Sequence, residues 1–162
     1  MMNRFVIVCI YIIINLSLIL STPTKLKPLE YDISLVHAQY IIKAGLAKSH
    51  ELGTKMNIAV VDAGGNLKAF VRENGAYIGS IDIAIKKAKT ARYFDQVTDD
   101  LGAQSQPGGP LYQIEVSNGG LITFAGGVPI TNEDGAVIGA VGVSGSTVEN
   151  DKVVATFAAA AK

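Results

Sequence analysis

Few side chains in this 162-residue sequence could bind a metal or exchange a proton near neutral pH. There are two histidines, His37 and His50, and one cysteine, Cys9. Both histidines fall in one predicted helix, thirteen residues and more than three turns apart, so they cannot ligate one metal ion from it. His50 lies in the last predicted turn, where an imidazole can interact with the helix C-terminus. His37 is the better candidate for a ligand, although a packed, hydrogen-bonded histidine is the simpler interpretation.

The sequence lacks the spacing patterns of the common catalytic sites. It has no HExxH zinc motif, no P-loop GK[ST] and no recognisable Ser–His–Asp arrangement. The glycines of GAVGVSG, residues 139–145, do not have the G-x-G-x-x-G spacing that binds dinucleotides. We expect them instead to let strands and helices pack closely. The sequence therefore favours binding over catalysis.

Composition and charge limit the class of protein. The 14 Lys and Arg residues balance the 14 Asp and Glu residues, and 49% of the chain is hydrophobic. This is typical of a single globular domain, and the neutral charge disfavours nucleic-acid binding, which usually needs a strongly basic surface. One basic group in a predicted helix could accept an anion or could form only a solvated face: Lys86, Lys87, Lys89 and Arg92.

The first 21 residues have the features of a secretory signal peptide. A positively charged start, Met1 to Arg4, precedes the apolar run FVIVCIYIIINLSLIL and the small residues Ser21 and Thr22. The run is shorter than the about 20 residues of a usual membrane span, and an uncleaved signal anchor is the alternative. We predict a signal peptide over residues 1–21, an extended lead-in over 22–32, and a mature domain over 33–162 without cysteine or membrane segment.

Hydrophobic periodicity predicts an α+β domain. Apolar residues at helical spacing predict helices over residues 35–52, 80–93 and 147–161, with Ser34 and Thr147 as N-caps and a further turn over 98–103. Runs rich in β-branched residues predict strands over 56–62, 67–72, 121–125, 128–131 and 136–143. These elements predict an antiparallel sheet of about five strands flanked by helices.

A long irregular loop is predicted over residues 104–118, because its QPGGPLY segment is dense in Pro and Gly. At Gly108 and Gly109 the backbone could approach a ligand closely. A purely architectural turn is an equally good interpretation.

Three segments, taken in order, closely resemble the GlcG/HbpS-like haem-binding family, which is related to the C-terminal domain of PduO proteins. They are MNIAVVDAGGNLKAFVRENGAYIGSIDIAIKKAKTARYF, LGAQSQPGGPLYQIEVSNGGLITFAGGVPI and DGAVIGAVGVSG. The similarity runs from about Ile33 to the C-terminal helix. It implies a profilin-like α/β sandwich, assembly into homo-oligomers and, in characterised members, binding of haem or a related tetrapyrrole. Other members are encoded with glycolate-use or corrinoid-related enzymes.

The resemblance also implies roles for particular residues. In some relatives a histidine early in the first helix is an axial haem ligand, and His37 matches that position. His37 is therefore the first candidate to ligate haem iron, with Tyr112 behind it. If haem binds, its anionic propionates could pair with Lys86, Lys87 or Arg92, and the backbone at Gly108 and Gly109 could approach it.

These observations predict a secreted or extracytoplasmic protein that binds haem for sequestration, transport or sensing. One alternative is an enzyme that degrades haem or acts on glycolate or another small 2-hydroxy acid. Another is an oligomeric scaffold without a ligand. Catalysis is the less favoured interpretation, because few acid–base groups lie near the proposed ligand.

Overall fold

The computed structural model describes residues 31–161. The predicted signal peptide and most of the predicted lead-in lie outside the described residues. The first helix, α1, spans Leu35–Glu51. Its start confirms the predicted cap, because the Ser34 hydroxyl accepts a hydrogen bond from the His37 amide at 3.1 Å. Gly53, just beyond the helix, has the left-handed conformation that favours glycine, with φ of 66°.

Four strands form one antiparallel sheet: β1 (Asn57–Asp62), β2 (Leu67–Arg72), β3 (Gly127–Thr131) and β4 (Val137–Ser144). Their order across the sheet is β2-β1-β4-β3, so β1 and β4 are central. The predicted fifth strand over residues 121–125 is wrong. Threonine side chains bind the backbone of this segment: Ile122 N donates to Thr90 Oγ1 at 3.1 Å, and Phe124 O accepts from Thr98 Oγ1 at 2.9 Å.

The remaining helices are α2 (Ser80–Phe94), α3 (Thr98–Gln104) and α4 (Val148–Ala159), with a short 3-10 helix over Ile114–Val116. Thr147 caps α4 as predicted, since its hydroxyl accepts from Asn150 N at 3.3 Å. In the part of the chain that the structure covers, no helix has the length and apolar character needed to cross a membrane.

The sheet lies between two layers of helices, which confirms the α+β sandwich. Side chains alternate along β1, so Ile58 and Val60 join the apolar cluster that contains buried residues of α1 and α4. Ala59 and Val61 join a second cluster that contains the alanines of α2. Helices α1 and α4 therefore cover one face of the sheet, and α2 covers the other.

Helix α2 packs close to the sheet, because both surfaces carry small residues. A Cβ atom on Gly142, in β4, would lie 2.1 Å from the Ala84 carbonyl oxygen and 2.4 Å from the Ala88 nitrogen. Both contacts are with the backbone of α2, which cannot rotate away as a side chain could. This confirms that a glycine of the GAVGVSG segment permits close packing of strand and helix.

A buried ion pair joins the two helical layers. Lys87, on α2, is 0% exposed, and its Nζ donates to Asp151 Oδ2 at 2.7 Å and to the Val143 carbonyl at 2.9 Å. The Phe124 ring covers the ammonium, with 4.6 Å between Nζ and the ring centroid. Asp151 lies in the first turn of α4, where its Oδ1 accepts from Gly145 N at 3.1 Å. The expectation that Lys87 lies on a solvated face is therefore wrong.

Glycine explains how a lysine can reach this position. A Cβ atom on Gly126 would lie only 2.7 Å from the Lys87 ammonium nitrogen, so a larger residue there would occupy its place. Burial lowers the pKa of Lys87 and raises the pKa of Asp151, and the hydrogen bond between the two groups opposes both changes. Each buried charge is therefore stabilised by its partner, and removing one partner would leave the other buried without a counter-ion.

Replacing Gly142 with alanine should destabilise the fold by about 1–3 kcal/mol, because the added methyl group meets the α2 backbone. Gly79→Ala is the matched control, since nothing lies within 4 Å of a Cβ atom there and φ is an ordinary −61°. Urea unfolding of both variants measures the effect. Equal losses in the two variants would show that α2 does not pack on the sheet in this way.

Asp151→Asn should reduce the free energy of unfolding by about 3–5 kcal/mol, because it leaves the Lys87 ammonium buried without a counter-ion. The control is Asp99→Asn, which breaks the exposed ion pair between Asp99 and Lys152 and should change stability far less. Urea unfolding at neutral pH compares the two variants. A loss no larger than that of the control would refute the proposed role of the pair.

The stability of Asp151→Asn should also depend on pH in a different way from that of the unmodified protein. Without Asp151, the influence that raises the pKa of Lys87 is gone, so burial lowers that pKa further below 10.5. Between the lowered pKa and 10.5, the unfolded chain holds a proton that the folded chain has lost. The stability of Asp151→Asn should therefore rise as the pH increases from that lowered pKa towards 10.5, more steeply than the stability of the unmodified protein. A parallel pH profile for the two proteins would contradict this.

Candidate functional site

His37 lies in the first turn of α1 with a half-buried imidazole. Its Nε2 is 3.0 Å from the carbonyl oxygen of Ala161, beyond the end of α4. A carbonyl oxygen can only accept a hydrogen bond, so Nε2 carries the proton in this contact and the neutral ring has its lone pair on Nδ1. The imidazole is therefore oriented by the backbone rather than by a carboxylate.

An open cleft of about 470 Å³ lies beside His37. Helix α1 contributes Val36, His37 and Tyr40 to its lining, and the β3–β4 hairpin contributes Asn132, Glu133 and Ile138. The volume is within the range of about 300–1,000 Å³ that is usual for small-molecule sites. Val36 is 77% exposed and Tyr40 is 50% exposed, so the cleft has an apolar rim that faces solvent.

A backbone hydrogen bond brings the start of α1 to the hairpin, and one side chain shapes the hairpin turn. Ile33 N donates to the Ile138 carbonyl at 3.0 Å, which fixes the chain entering α1 to the beginning of β4. The hairpin turn is shaped by Asn132, whose Oδ1 accepts from the amides of Asp134 at 3.1 Å and Ala136 at 2.9 Å. His37 and the hairpin therefore meet although they are far apart in sequence.

The cleft could bind a flat, largely apolar molecule that needs one nitrogen ligand. Its apolar surface comes from Val36, Tyr40 and Ile138, and His37 offers the imidazole. Within residues 31–161, no group of three or more His, Cys, Asp or Glu side chains is arranged to hold a metal ion. A metal that brings its own macrocyclic ligands requires only one axial group from the protein, and the cleft can supply that group.

The other predicted site residues lie elsewhere. Lys86 and Arg92 are on α2, across the sheet from α1, and each is paired on its own helix or at its end, with Asp82 and Asp95 respectively. Lys87 is buried in the ion pair described above. The structure does not bring these cations to His37, and among residues 31–161 no Lys or Arg lines the cleft.

The irregular loop is also separate from the cleft. Gly108, Gly109 and Tyr112 are absent from the cleft lining within the described part of the chain. A Cβ atom on Gly109 would lie 2.3 Å from the Gln104 carbonyl oxygen, and Gly108 has φ of 85°, so both glycines are needed for the turn itself. This geometry favours the architectural interpretation of the two glycines. Tyr112 is exposed on the same loop.

Sequence reasoning predicted His37 but missed its neighbours in the cleft, which include Val36, Tyr40, Asn132, Glu133 and Ile138. A signal existed for Tyr40, because residues three apart lie on the same side of a helix and His37 was already a candidate. The hairpin residues gave no such signal, since their proximity to His37 depends on the Ile33–Ile138 hydrogen bond.

His50 lies in the last turn of α1 as predicted, but its partner is a carboxylate rather than the helix end. Its Nε2 is 2.7 Å from Glu73 Oε1. The other carboxylate oxygen of Glu73 accepts from Ser49 Oγ and from Met56 N, both at 2.7 Å. Glu73 thus ties the end of α1 to the chain that follows β2. A cavity of about 560 Å³ adjoins this cluster.

Comparison with known proteins relates nearly the whole described domain to one family. A family model described as "Haem degrading protein HbpS-like" matches residues 33–160. The chain is 39% identical over 127 residues to an uncharacterized 15.0 kDa protein from the dhaT-dhaS intergenic region of Citrobacter freundii, covering 78% of this chain and 89% of that protein. It is also 34% identical over 131 residues to the corrinoid adenosyltransferase PduO of the same organism, covering 80% of this chain but 39% of PduO.

Solved structures share the fold. Klebsiella pneumoniae protein ORFY matches with a TM-score of 0.77 and 35% identity, over 85% of this chain and 95% of that one. The protein in a structure of a PduOC:heme complex matches with a TM-score of 0.76 and 32% identity, over 81% and 95% of the two chains. HbpS matches with a TM-score of 0.74 and 26% identity, over 86% and 96%.

Proposed function

The chain belongs to the HbpS-like family, and from that membership we propose that it binds haem in the cleft beside His37. Two of the comparisons support haem as the ligand. The family description refers to haem, and the PduOC structure, which is 32% identical to this chain, is a complex with heme. The single observation that carries the proposal is an imidazole at an open apolar cleft.

The residues of the cleft fit this ligand. Haem is flat and largely apolar, so its ring would contact Val36, Tyr40 and Ile138, while His37 would hold the iron through an imidazole nitrogen. Bound there, haem would supply an iron centre whose properties depend on the axial nitrogen and on access of water. Because no Lys or Arg among residues 31–161 lines the cleft, the propionates would find no cationic partner there.

The open cleft favours carrying or sensing haem over chemistry at the iron. Controlled oxygen chemistry needs a distal pocket whose polarity and access are set by the protein, and this rim is exposed. The alternative activity on a 2-hydroxy acid also finds no support here. The carboxylate of such a substrate would be bound best by a cationic side chain, and the lining of the described cleft includes no Lys or Arg.

A homo-oligomer is the second part of the proposal. The apolar rim formed by Val36 and Tyr40, together with Leu35, which is 52% exposed, is surface that association could bury. Light scattering of the purified protein, with and without haemin, measures the subunit number. A monomer under both conditions would contradict this part of the proposal.

Titration of the purified protein with haemin should give a saturable shift of the Soret band at micromolar protein. His37→Ala should weaken binding by at least about tenfold and change the spectrum, because a coordinating nitrogen is lost. His50→Ala is the matched control: it removes the other imidazole of α1, at the far end of the helix, and should leave the titration unchanged.

Each outcome of the titration bears on a different part of the proposal. A spectrum and affinity unchanged in His37→Ala would reject His37 as the ligand while leaving haem binding intact. No saturable change in the unmodified protein would reject haem binding itself.

We also propose that residues 1–21 direct export and are removed near Ser21, on the basis of the charged start and the apolar run. Mass spectrometry of protein recovered from the natural host's extracytoplasmic fractions should show a mature N-terminus close to Thr22. Recovery of the intact chain with Met1 from the cytoplasmic fraction would refute the proposal. Recovery of the intact chain from the membrane would favour the signal anchor.

A further inference from the structure

The segment that follows α4 occupies the ring nitrogen of His37. Helix α4 ends at Ala159, and Ala160 remains in the helical region, with φ of −79° and ψ of −8°. Ala161 N then donates to the Ala158 carbonyl at 3.1 Å, which turns the chain towards α1. This turn, residues 159–161, places the Ala161 carbonyl oxygen 3.0 Å from His37 Nε2. The side chain of Ala161 packs against the edge of the core.

This contact conflicts with ligation of iron by the same nitrogen. An imidazole nitrogen binds a metal through its lone pair, but Nε2 carries a proton while it donates to a carbonyl. Nδ1 has the lone pair in this state, yet it lies next to Cβ and the helix backbone, which obstruct the plane of a macrocycle. Nε2 lies farther from the main chain and is the nitrogen that can approach the iron of a flat ligand.

We propose that the Ala161 carbonyl is a built-in competitor of haem for His37, and that the turn at residues 159–161 moves aside when haem binds. The inference rests on the proposed function and adds a regulatory contact to that site. Haem then binds the fraction of molecules in which the turn is open, so the apparent affinity is reduced by that fraction. Any interaction that holds the turn closed lowers haem affinity, and any that draws it away raises it.

The turn is built to open at small cost. It follows the last helical turn, where few backbone hydrogen bonds hold the chain. Two backbone hydrogen bonds hold residues 160 and 161: Ala160 N donates to the Thr156 carbonyl at 3.3 Å, and Ala161 N donates to the Ala158 carbonyl. Its side chains are alanines, so little apolar surface is exposed when it leaves. The core alanine, Ala158, belongs to α4 and stays in place.

Two shortened chains test the proposal in opposite directions. A chain that stops after Ala159 lacks the competing carbonyl, so haemin should bind about threefold to tenfold more tightly, which is the usual net contribution of one hydrogen bond. A chain that stops after Ala161 has a carboxylate at the competing position, where a charge-assisted hydrogen bond is stronger, so haemin should bind more weakly than to the full chain. His37→Ala in each background should remove the difference.

A full-length variant guards against misfolding of the shortened chains. Ala161→Pro removes the amide that donates to Ala158 and drives Ala160 out of its helical conformation, so it should redirect the turn and tighten haemin binding. Thermal unfolding of the haem-free proteins checks that each variant is folded. In the unmodified protein, nitrogen NMR of the ring should show the proton on Nε2 of His37 before haem is added.

The outcomes separate this inference from the proposed function. Saturable haem binding that is unchanged or weaker when the chain stops after Ala159, and in Ala161→Pro, would overturn the competition and make the carbonyl an orienting partner. A ring proton on Nδ1 in the haem-free protein would also overturn it. Failure of every form to bind haem would overturn the proposed function, and the competition with it.

Discussion

The ion pair between Lys87 and Asp151 links helices α2 and α4, and the rest of the structure depends on this link. Its two residues belong to helices on opposite faces of the sheet, and both side chains are buried. Because neither charge can be left alone in this environment, α2 and the first turn of α4 are fixed relative to each other. The glycines at positions 126 and 142 make room for this arrangement. Small residues let the α2 backbone approach the sheet, and Gly126 leaves space for the Lys87 side chain to reach Asp151.

The same packing of helices on the sheet also positions the candidate site. Asp151 anchors the beginning of α4, and Val154 and Ala158 hold its length in the core, so the helix ends beside the first turn of α1. The start of α1 is itself fixed to β4 through Ile33. The cleft therefore lies where two separately anchored pieces meet, the first turn of α1 and the β3–β4 hairpin, and the residues after α4 contact His37 through the Ala161 carbonyl. The backbone of His37 is fixed in the capped first turn of α1, and its ring contacts the Ala161 carbonyl of the short segment after α4.

Local patterns in the sequence predicted the elements well where the physical cause is local. The caps at Ser34 and Thr147, the length of α1 and the hairpin strands follow from side-chain chemistry and periodicity within a few residues. Segment 121–125 has the composition of a strand, but its backbone is satisfied by Thr90 and Thr98 from two helices, which no local pattern reveals. The position of Lys87 was mispredicted for a similar reason: a lysine is rarely buried without a partner, and here both the carboxylate of Asp151 and the space at Gly126 are distant in sequence.

The candidate site shows the same difference between residues that local sequence predicts and residues that only the tertiary structure reveals. His37 could be selected from the sequence because the chain has two histidines, and His37, in the first turn of a helix, matches a family position. Its neighbours across the cleft come from the β3–β4 hairpin, and its hydrogen-bond partner Ala161 follows α4, so both required the tertiary structure. The predicted partners on α2 and on the irregular loop were assigned by residue type, and the sheet now separates α2 from α1.

A crystal structure of the purified protein with haemin tests the central claim most directly. The account predicts haem in the cleft between α1 and the β3–β4 hairpin, with the iron bonded to Nε2 of His37 and the Ala161 carbonyl displaced from that nitrogen. Haem seated on the α2 face, or at the His50–Glu73 cluster, with the Ala161 contact intact, would contradict it.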